Sequence, residues 1–187
     1  MTSLQVNRWE MTRARSVLAN GGLIAYPTEA VWGVGCDPFN LHAIKRLLKL
    51  KGRPANKGLI LVGSDSEQIA TLLSRLEPEQ RQRLQMSTNS LEDDVATTWL
   101  LPHDGSFPTW ITGGRDTVAI RISKHPLVAQ LCRAHKGLIV STSANPSGQM
   151  PAETRAESRH YFGSSVDLYL KGKVGSQSRP SQILDLL

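Results

Sequence analysis

Three short stretches of this sequence carry side chains suited to holding an anion. The first is 23–37, LIAYPTEAVWGVGCD. Pro27 fixes its own φ and biases Tyr26 toward extended geometry, so an apolar strand should end there and present the Thr28 hydroxyl at its tip. Gly33 and Gly35 follow, and without Cβ atoms they permit either positive φ or close contact between main chain and a ligand. An ordinary strand, turn and strand with glycines serving the turn reads the same way. The second stretch holds Lys51 and Arg53, two residues apart where a helical pattern runs out. If that exit is extended, both cations point the same way and can grip one polyphosphate. The third is Ser141-Thr142-Ser143-Ala144-Asn145-Pro146-Ser147-Gly148, a dense cluster of neutral donors at a strand's C-terminal end. It suits phosphate oxygens or a ribose, and a plain Ser/Thr/Asn turn would look alike.

A fourth position stands apart. Arg121 interrupts the alternation Val118, Ile120, Ile122 on its polar side. It either lines a cavity or sits on a sheet face open to water.

Charge supports the anionic theme. The 187 residues carry a formal net charge of +6, and 38–64 contains no acid while holding Lys45, Arg46, Lys49, Lys51, Arg53 and Lys57. An acid-free run gives those cations no local partners, which favours nucleotide phosphate or nucleic acid over a merely solvated helix face. Apolar content of 40% and charged content of 20% are those of a globular protein, with no run near the ~20 residues a membrane helix needs. The N-terminal residues show no apolar h-region, so the expected location is the cytoplasm. Cys36 and Cys132 lack metal or redox spacing and are expected as reduced thiols, and the five scattered histidines make a protein-held transition metal improbable.

The elements that must position these residues alternate between helix and strand. Asn7 and Glu10 have capping-box spacing, and Val6 with Met11 staple spacing, ahead of a helix over 8–19 that Asn20-Gly21-Gly22 stops. Strand 23–26, a helix from 41 to near 49, strand 59–62, and helices 65–73 and 77–84 follow. The acidic, polar 87–94 reads as a loop. Then come strand 96–101, a long loop 102–114, strand 117–122, helix 126–135, strand 138–140, helix 153–161, strand 166–170, a basic loop 172–178 and an edge strand at 179–183. No repeat or low-complexity linker divides the chain, so 1–187 reads as one domain of mixed α/β or α+β class, with helices flanking a twisted, open mixed sheet.

Several familiar chemistries are absent: no GxxxxGK[ST] phosphate loop, no GxSxG esterase elbow, and Gly33-Val34-Gly35 continues as Cys36-Asp37-Pro38 rather than GxGxxG. In their place, YPTEAVWGVGCD at 26–37, Lys51-Gly52-Arg53 followed by GLILV, AIRI at 119–122 with His125-Pro126, and STSANPSG at 141–148 resemble the YrdC-like threonylcarbamoyl-AMP synthase family. The motifs occur in family order and, with Arg179-Pro180-Ser181, span almost the whole chain.

The resemblance implies an α/β fold around a large, positively charged concave cavity. It implies condensation of L-threonine, bicarbonate and ATP into threonylcarbamoyl-AMP with release of pyrophosphate, magnesium travelling with the ATP. Other proteins of the pathway would then move the threonylcarbamoyl group to the adenosine beside a tRNA anticodon. The family's signature falls on Lys51 and Arg53, which would hold the ATP phosphates, and on Ser143 and Asn145, which would fix the nucleotide. Thr28, Arg121 and Ser141 would position threonine and the phosphates, with Arg179 and Ser181 on the ATP side.

Where members commonly carry a Pro-Gly-Pro turn, this chain has Asp94-Val95-Ala96, although Thr98 keeps a hydroxyl. The chain also resembles the short form, without the long form's additional domain. A rival reading is a non-catalytic module that binds tRNA or double-stranded RNA by phosphate contacts, which basicity permits.

Overall fold

The computed structural model describes residues 7–89, 96–177 and 181–186. Its first helix, α1 (Arg8–Ala19), is capped by Asn7, whose side chain accepts from the Trp9 N–H at 3.1 Å. The capping box does not close. Glu10 instead accepts from the backbone N–H of Lys171 at 2.9 Å, so a charge that could have served its own helix end anchors a distant segment. Val6 of the expected staple lies outside the described residues. Gly21, at φ +74°, turns the chain after the helix.

One eight-stranded sheet is built from β1 (Ile24–Pro27), β2 (Trp32–Gly35), β3 (Ile60–Gly63), β4 (Thr97–Pro102), β5 (Thr117–Ile122), β6 (Ile139–Ser143), β7 (Leu168–Tyr169) and β8 (Gln182–Asp185). Their spatial order is β7-β1-β2-β6-β3-β5-β4-β8. It is mixed, with β1 and β7, β3 and β5, and β4 and β8 parallel and the other neighbours antiparallel.

Period-two alternation sorts the apolar residues to two faces. Ala25, Val34, Leu61, Val140 and Ile120 belong to the larger core, together with Ala43, Ile44 and Leu47 of α2 (Leu41–Lys51). Ile24, Tyr26, Val62 and Ile139 face the other way, onto Ala14 and Leu18 of α1 and onto Leu127, Val128 and Leu131 of α6 (Pro126–His135). Cys36 and Cys132 are buried free thiols in different cores, and burial pushes both upward in pKa, Cys132 to about 12.

Both corner glycines stand in β2, and neither has positive φ. A Cβ on Gly35 would lie 1.8 Å from the carbonyl oxygen of Val140, so the close approach it permits is to the neighbouring strand, not to a ligand. The Lys51 exit is also helical: α2 runs to Lys51 and closes on Gly52 at φ 59°, a left-handed cap whose N–H reaches the carbonyls of Leu48 and Lys49. The extended exit expected for Lys51 and Arg53 therefore does not form.

Other boundaries shift for local reasons. The 65–73 helix divides into a 3₁₀ turn at Ser66–Ile69, capped by Asp65, and α3 (Ala70–Leu73). Helix α4 (Pro78–Asn89) runs into the expected polar loop, the rest of which lies outside the described residues. The long loop contains α5 (Thr109–Thr112), opened by Pro108 and closed by Gly113 in the left-handed region. Thr154 caps α7 (Arg155–Phe162), delaying it by two residues. Strand β6 extends through Ser143, so its hydroxyls ride on the strand, Ser141 and Ser143 on one face.

Candidate active site

Helices α1 and α6 cover only one end of the second face of the sheet. Toward the other end, the same alternation brings up Thr28, Ile60, Arg121, Ser141 and Ser143, and these line an open cavity of about 250 Å3. The sheet register places Ile60 opposite Ser141 on one side and Ala119 on the other, with Gly33 opposite Ser143. A Cβ on Gly33 would meet Thr28 Cγ2 at 3.0 Å and Ser141 Oγ at 3.5 Å, so this glycine keeps the space between those two side chains open.

Thr28 closes the corner itself. Its N–H and its hydroxyl both donate to the Val31 carbonyl, at 3.0 and 2.7 Å, which leaves the hydroxyl oxygen to accept. The neighbouring Glu29, which motif reading left without a role, is buried in the cavity wall. Its Oε1 accepts from Ser123 Oγ at 2.6 Å and from the N–H groups of Lys124 and His125 at 3.1 and 3.3 Å. Those N–H groups lie just before α6, where no helical carbonyl precedes them to accept. Its Oε2 lies 3.9 Å from Arg121 Nη1. Burial raises the carboxyl's pKa, but the Ser123 bond, Arg121 and the backbone donors together outweigh it, and the group sits below its ordinary value. The sequence signal was an acid next to the Thr28 corner; its partners, 92 to 96 residues on, are visible only in the fold.

Arg121 is itself largely buried, and its Nε has no partner among the described residues. Arg53 also lines the cavity, donates from Nη2 to the Gly58 carbonyl at 3.0 Å, and has a buried Nε with no partner among the described residues. Lys51 does not line the cavity. Its Nζ donates to the carbonyls of Ser143 at 2.5 Å and Asn145 at 2.7 Å, and the Lys51 carbonyl accepts from Ser147 N–H at 2.8 Å. Burial, aided by Arg53, lowers the amine's pKa to about 8. Asn145 Nδ2 donates to the Pro146 and Gln149 carbonyls, while its buried Oδ1 has no partner among the described residues. Lys51 and Asn145 thus sit together at the end of β6, and Arg53, Arg121, Thr28, Ser141 and Ser143 sit together in the cavity.

The C-terminal part of the chain closes one side. Gly175 N–H donates to the Thr28 carbonyl at 2.9 Å, Gln177 N–H to that of Glu29 at 3.1 Å, and Gln177 Oε1 accepts from Ala96 N–H. Ser181 reaches the cavity; Thr98 is fully buried and bonds to it through its hydroxyl at 3.1 Å without lining the cavity. Arg179 lies outside the described residues, as do Asp94 and Val95.

The basic run is dispersed. Arg46 pairs with Asp167 at 3.0 Å, more than a hundred residues away, so an acid-free stretch did not mean unpaired cations. Lys45, Lys49 and Lys57 are exposed, Lys51 is buried, and of that run only Arg53 lines the cavity.

Comparison with known proteins shows the family and fold. The Sua5/YciO/YrdC family model, described as telomere recombination, matches residues 16–187. Threonylcarbamoyl-AMP synthases of Halorhodospira halophila and Saccharophagus degradans are 46% and 48% identical to this chain, over 95% and 97% of it and 90% and 94% of their own lengths. The P. abyssi Sua5 structure complexed with L-threonine superposes with a TM-score of 0.85 at 29% identity, over 97% of this chain and 52% of that one, so the chain spans about half of that protein. E. coli YciO, at 23% identity and a TM-score of 0.79 over 96% of this chain and 84% of that one, shares the fold. By motif order, sheet topology and a match over nearly its whole length, the chain belongs to the Sua5/YciO/YrdC family.

Proposed function

We propose that this chain is an L-threonylcarbamoyl-AMP synthase, a nucleotidyltransferase that joins L-threonine, bicarbonate or CO2, and ATP. The observation that carries the reading is one cavity lined by two arginines whose Nε donors have no partner among the described residues, Arg53 and Arg121, together with Ser141 and Ser143. Such a cavity suits a reaction in which anions must meet.

Threonine's amine adds to CO2 and gives up a proton, giving an N-carboxylate. One oxygen of that group then attacks the α-phosphorus of ATP; the new O–P bond forms as the bond to the β-phosphate oxygen breaks, and pyrophosphate leaves. No protein nucleophile is required, so the side chains orient the reactants and offset charge. Arg121, with Thr28, holds the threonine carboxylate. Arg53 and the hydroxyls of Ser141 and Ser143 hold phosphate oxygens. Lys51, from behind β6, fixes the Ser143 and Asn145 backbone and adds positive potential. Ser181, braced by Thr98, and Arg179 serve the ATP side.

Magnesium enters with the ATP triphosphate as part of the substrate. Among the described residues no three His, Cys, Asp or Glu side chains come together. The reactive product calls for threonylcarbamoyl-transferring proteins that deliver the group to tRNA adenosine, and we place the reaction in the cytoplasm. None of the described helices is long and apolar enough to cross a membrane. A non-catalytic module for tRNA or double-stranded RNA is less favoured, because Lys45, Lys49 and Lys57 are scattered exposed cations whereas the cavity gathers groups for small substrates.

The test is pyrophosphate release from Mg–ATP with threonine and bicarbonate omitted in turn, beside Lys51→Ala. Release that needs both and fails in the variant supports the synthase. Turnover indifferent to threonine indicates another nucleotidyl transfer. Absence of turnover alongside tight, salt-sensitive RNA binding returns the binding module.

A further inference from the structure

Among the described residues Glu29 is the only acid lining the cavity, in a reaction whose substrates are anionic. A buried carboxylate there repels them unless its charge serves another group. Its bonding is asymmetric. All three hydrogen bonds fall on Oε1, two of them from backbone N–H groups whose positions are fixed by the start of α6. That arrangement pins the carboxylate and leaves Oε2 facing Arg121 at 3.9 Å, a charge contact too long for a hydrogen bond. Arg121 is therefore attracted without a hydrogen bond to Glu29, and its Nε has no partner among the described residues. A carboxylate kept ionised in this way is also a poor proton acceptor, which argues against a general-base role.

We propose that Glu29 is a positioning residue that sets the Arg121 guanidinium at the angle at which it receives the substrate's carboxylate. The inference rests on the reading of Arg121 as the threonine-carboxylate ligand. The same corner carries a second constraint, because Gln177 N–H binds the Glu29 carbonyl. Glu29 thereby ties together the corner, the strand bearing Arg121, the start of α6 and the C-terminal segment. A group with this role alters how tightly the amino acid binds while leaving the ATP side as it is.

The experiment measures KM and kcat for both substrates in the wild type, Glu29→Gln, Arg121→Ala and the double variant. Glu29→Gln is expected to raise the threonine KM on the order of tenfold, as for loss of one charge-assisted interaction, with the KM for ATP unchanged. In the Arg121→Ala background the same change should add nothing further. Glu29→Gln with a lowered melting temperature but an unchanged threonine KM would reduce Glu29 to a structural brace and overturn the proposal. Full additivity of the two variants would overturn it as well. Arg121→Ala with a wild-type threonine KM would remove the underlying assignment, a result readable without any Glu29 variant. If Glu29→Gln does not fold, Ser123→Ala removes the 2.6 Å bond while keeping the charge. A smaller rise in threonine KM is then expected, and no rise overturns the proposal.

Discussion

Lys51 and Asn145, 94 residues apart in the chain, are joined by a 2.7 Å hydrogen bond from the lysine Nζ to the asparagine carbonyl. With the companion bond to the Ser143 carbonyl, it links the last turn of α2 to the end of β6. Lys51→Met keeps most of the apolar stem but leaves both carbonyls without this donor. The expected cost is about 2 kcal/mol, because the Asn145 carbonyl is left without the donor that held it, while the Ser143 carbonyl loses a charge-assisted bond and keeps the Asn145 N–H at 3.0 Å. Urea unfolding of the wild type and Lys51→Met checks it, and equal midpoints would show that the carbonyls find other partners.

The same lysine predicts a pH dependence with separable parts. Folding lowers its pKa from 10.5 to about 8, burial being the main cause. Between those values the unfolded chain holds the proton and the folded chain does not, so unfolding takes up a proton and this residue's contribution to stability rises with pH across the window. A neutral amine still has two N–H groups for two carbonyls, so the anchor survives while its charge is lost. The expected result is a turnover rate that falls as pH rises through about 8. Over the same range, the difference in melting temperature between the wild type and Lys51→Met widens. A gap that narrows would reverse the assigned sign.

What could be read from the residues, and what could not, divides by range. Helix 8–19 and strand 117–122 were legible because Asn7, Asn20 and the alternation around Arg121 are local signals. The helix runs two residues past the expected end near 49 because Gly52 caps it only in the left-handed conformation directly after Lys51. For the site, residue types marked Arg53, Arg121 and the hydroxyls of 141–148 separately and the family resemblance joined them; the shared sheet face brings Arg121, Ser141 and Ser143 together, and Arg53 reaches the same cavity from the segment after α2. Glu29 and the inward turn of Lys51 were not legible. Both depend on pairings across ninety or more residues, between Glu29 and Ser123 and between Lys51 and β6, for which no local pattern exists.

The two corner glycines should separate stability from function. At Gly35 an added Cβ would meet the Val140 carbonyl oxygen at 1.8 Å, and a backbone atom within a paired strand cannot yield. Gly35→Ala is expected to cost about 3 kcal/mol or more, at the upper end for overpacking. At Gly33 the first obstacle is the Thr28 methyl at 3.0 Å, which has a few tenths of an ångström to give. Gly33→Ala should therefore fold with a small stability loss and bind threonine or ATP more weakly, since its methyl projects between Thr28 and Ser141. Thermal melts with substrate kinetics check both, and a Gly35→Ala chain as stable as the wild type would contradict the packing of β2 on β6.

Glu29 sets the behaviour in acid. Its carboxyl is raised by burial and lowered further by Ser123, Arg121 and the backbone donors, so that the folded value lies below the ordinary 4.5. The groups that face it are Arg121 from β5, the Ser123 hydroxyl, and Lys124 and His125 at the start of α6. Between the two values the unfolded chain carries the proton and the folded chain does not, so stability rises with pH there. Its contribution is complete above about 4.5 and is lost as pH falls through the folded value. Glu29→Gln removes the titration while keeping the side chain's size and one acceptor oxygen. The difference in melting temperature between the wild type and this variant should therefore be largest near neutral pH and shrink on acidification below about 4.5, as the wild-type carboxyl becomes neutral like the amide. A difference that stays constant down to pH 3 would mean that the Glu29 charge is not what holds Ser123, Arg121 and the start of α6 together.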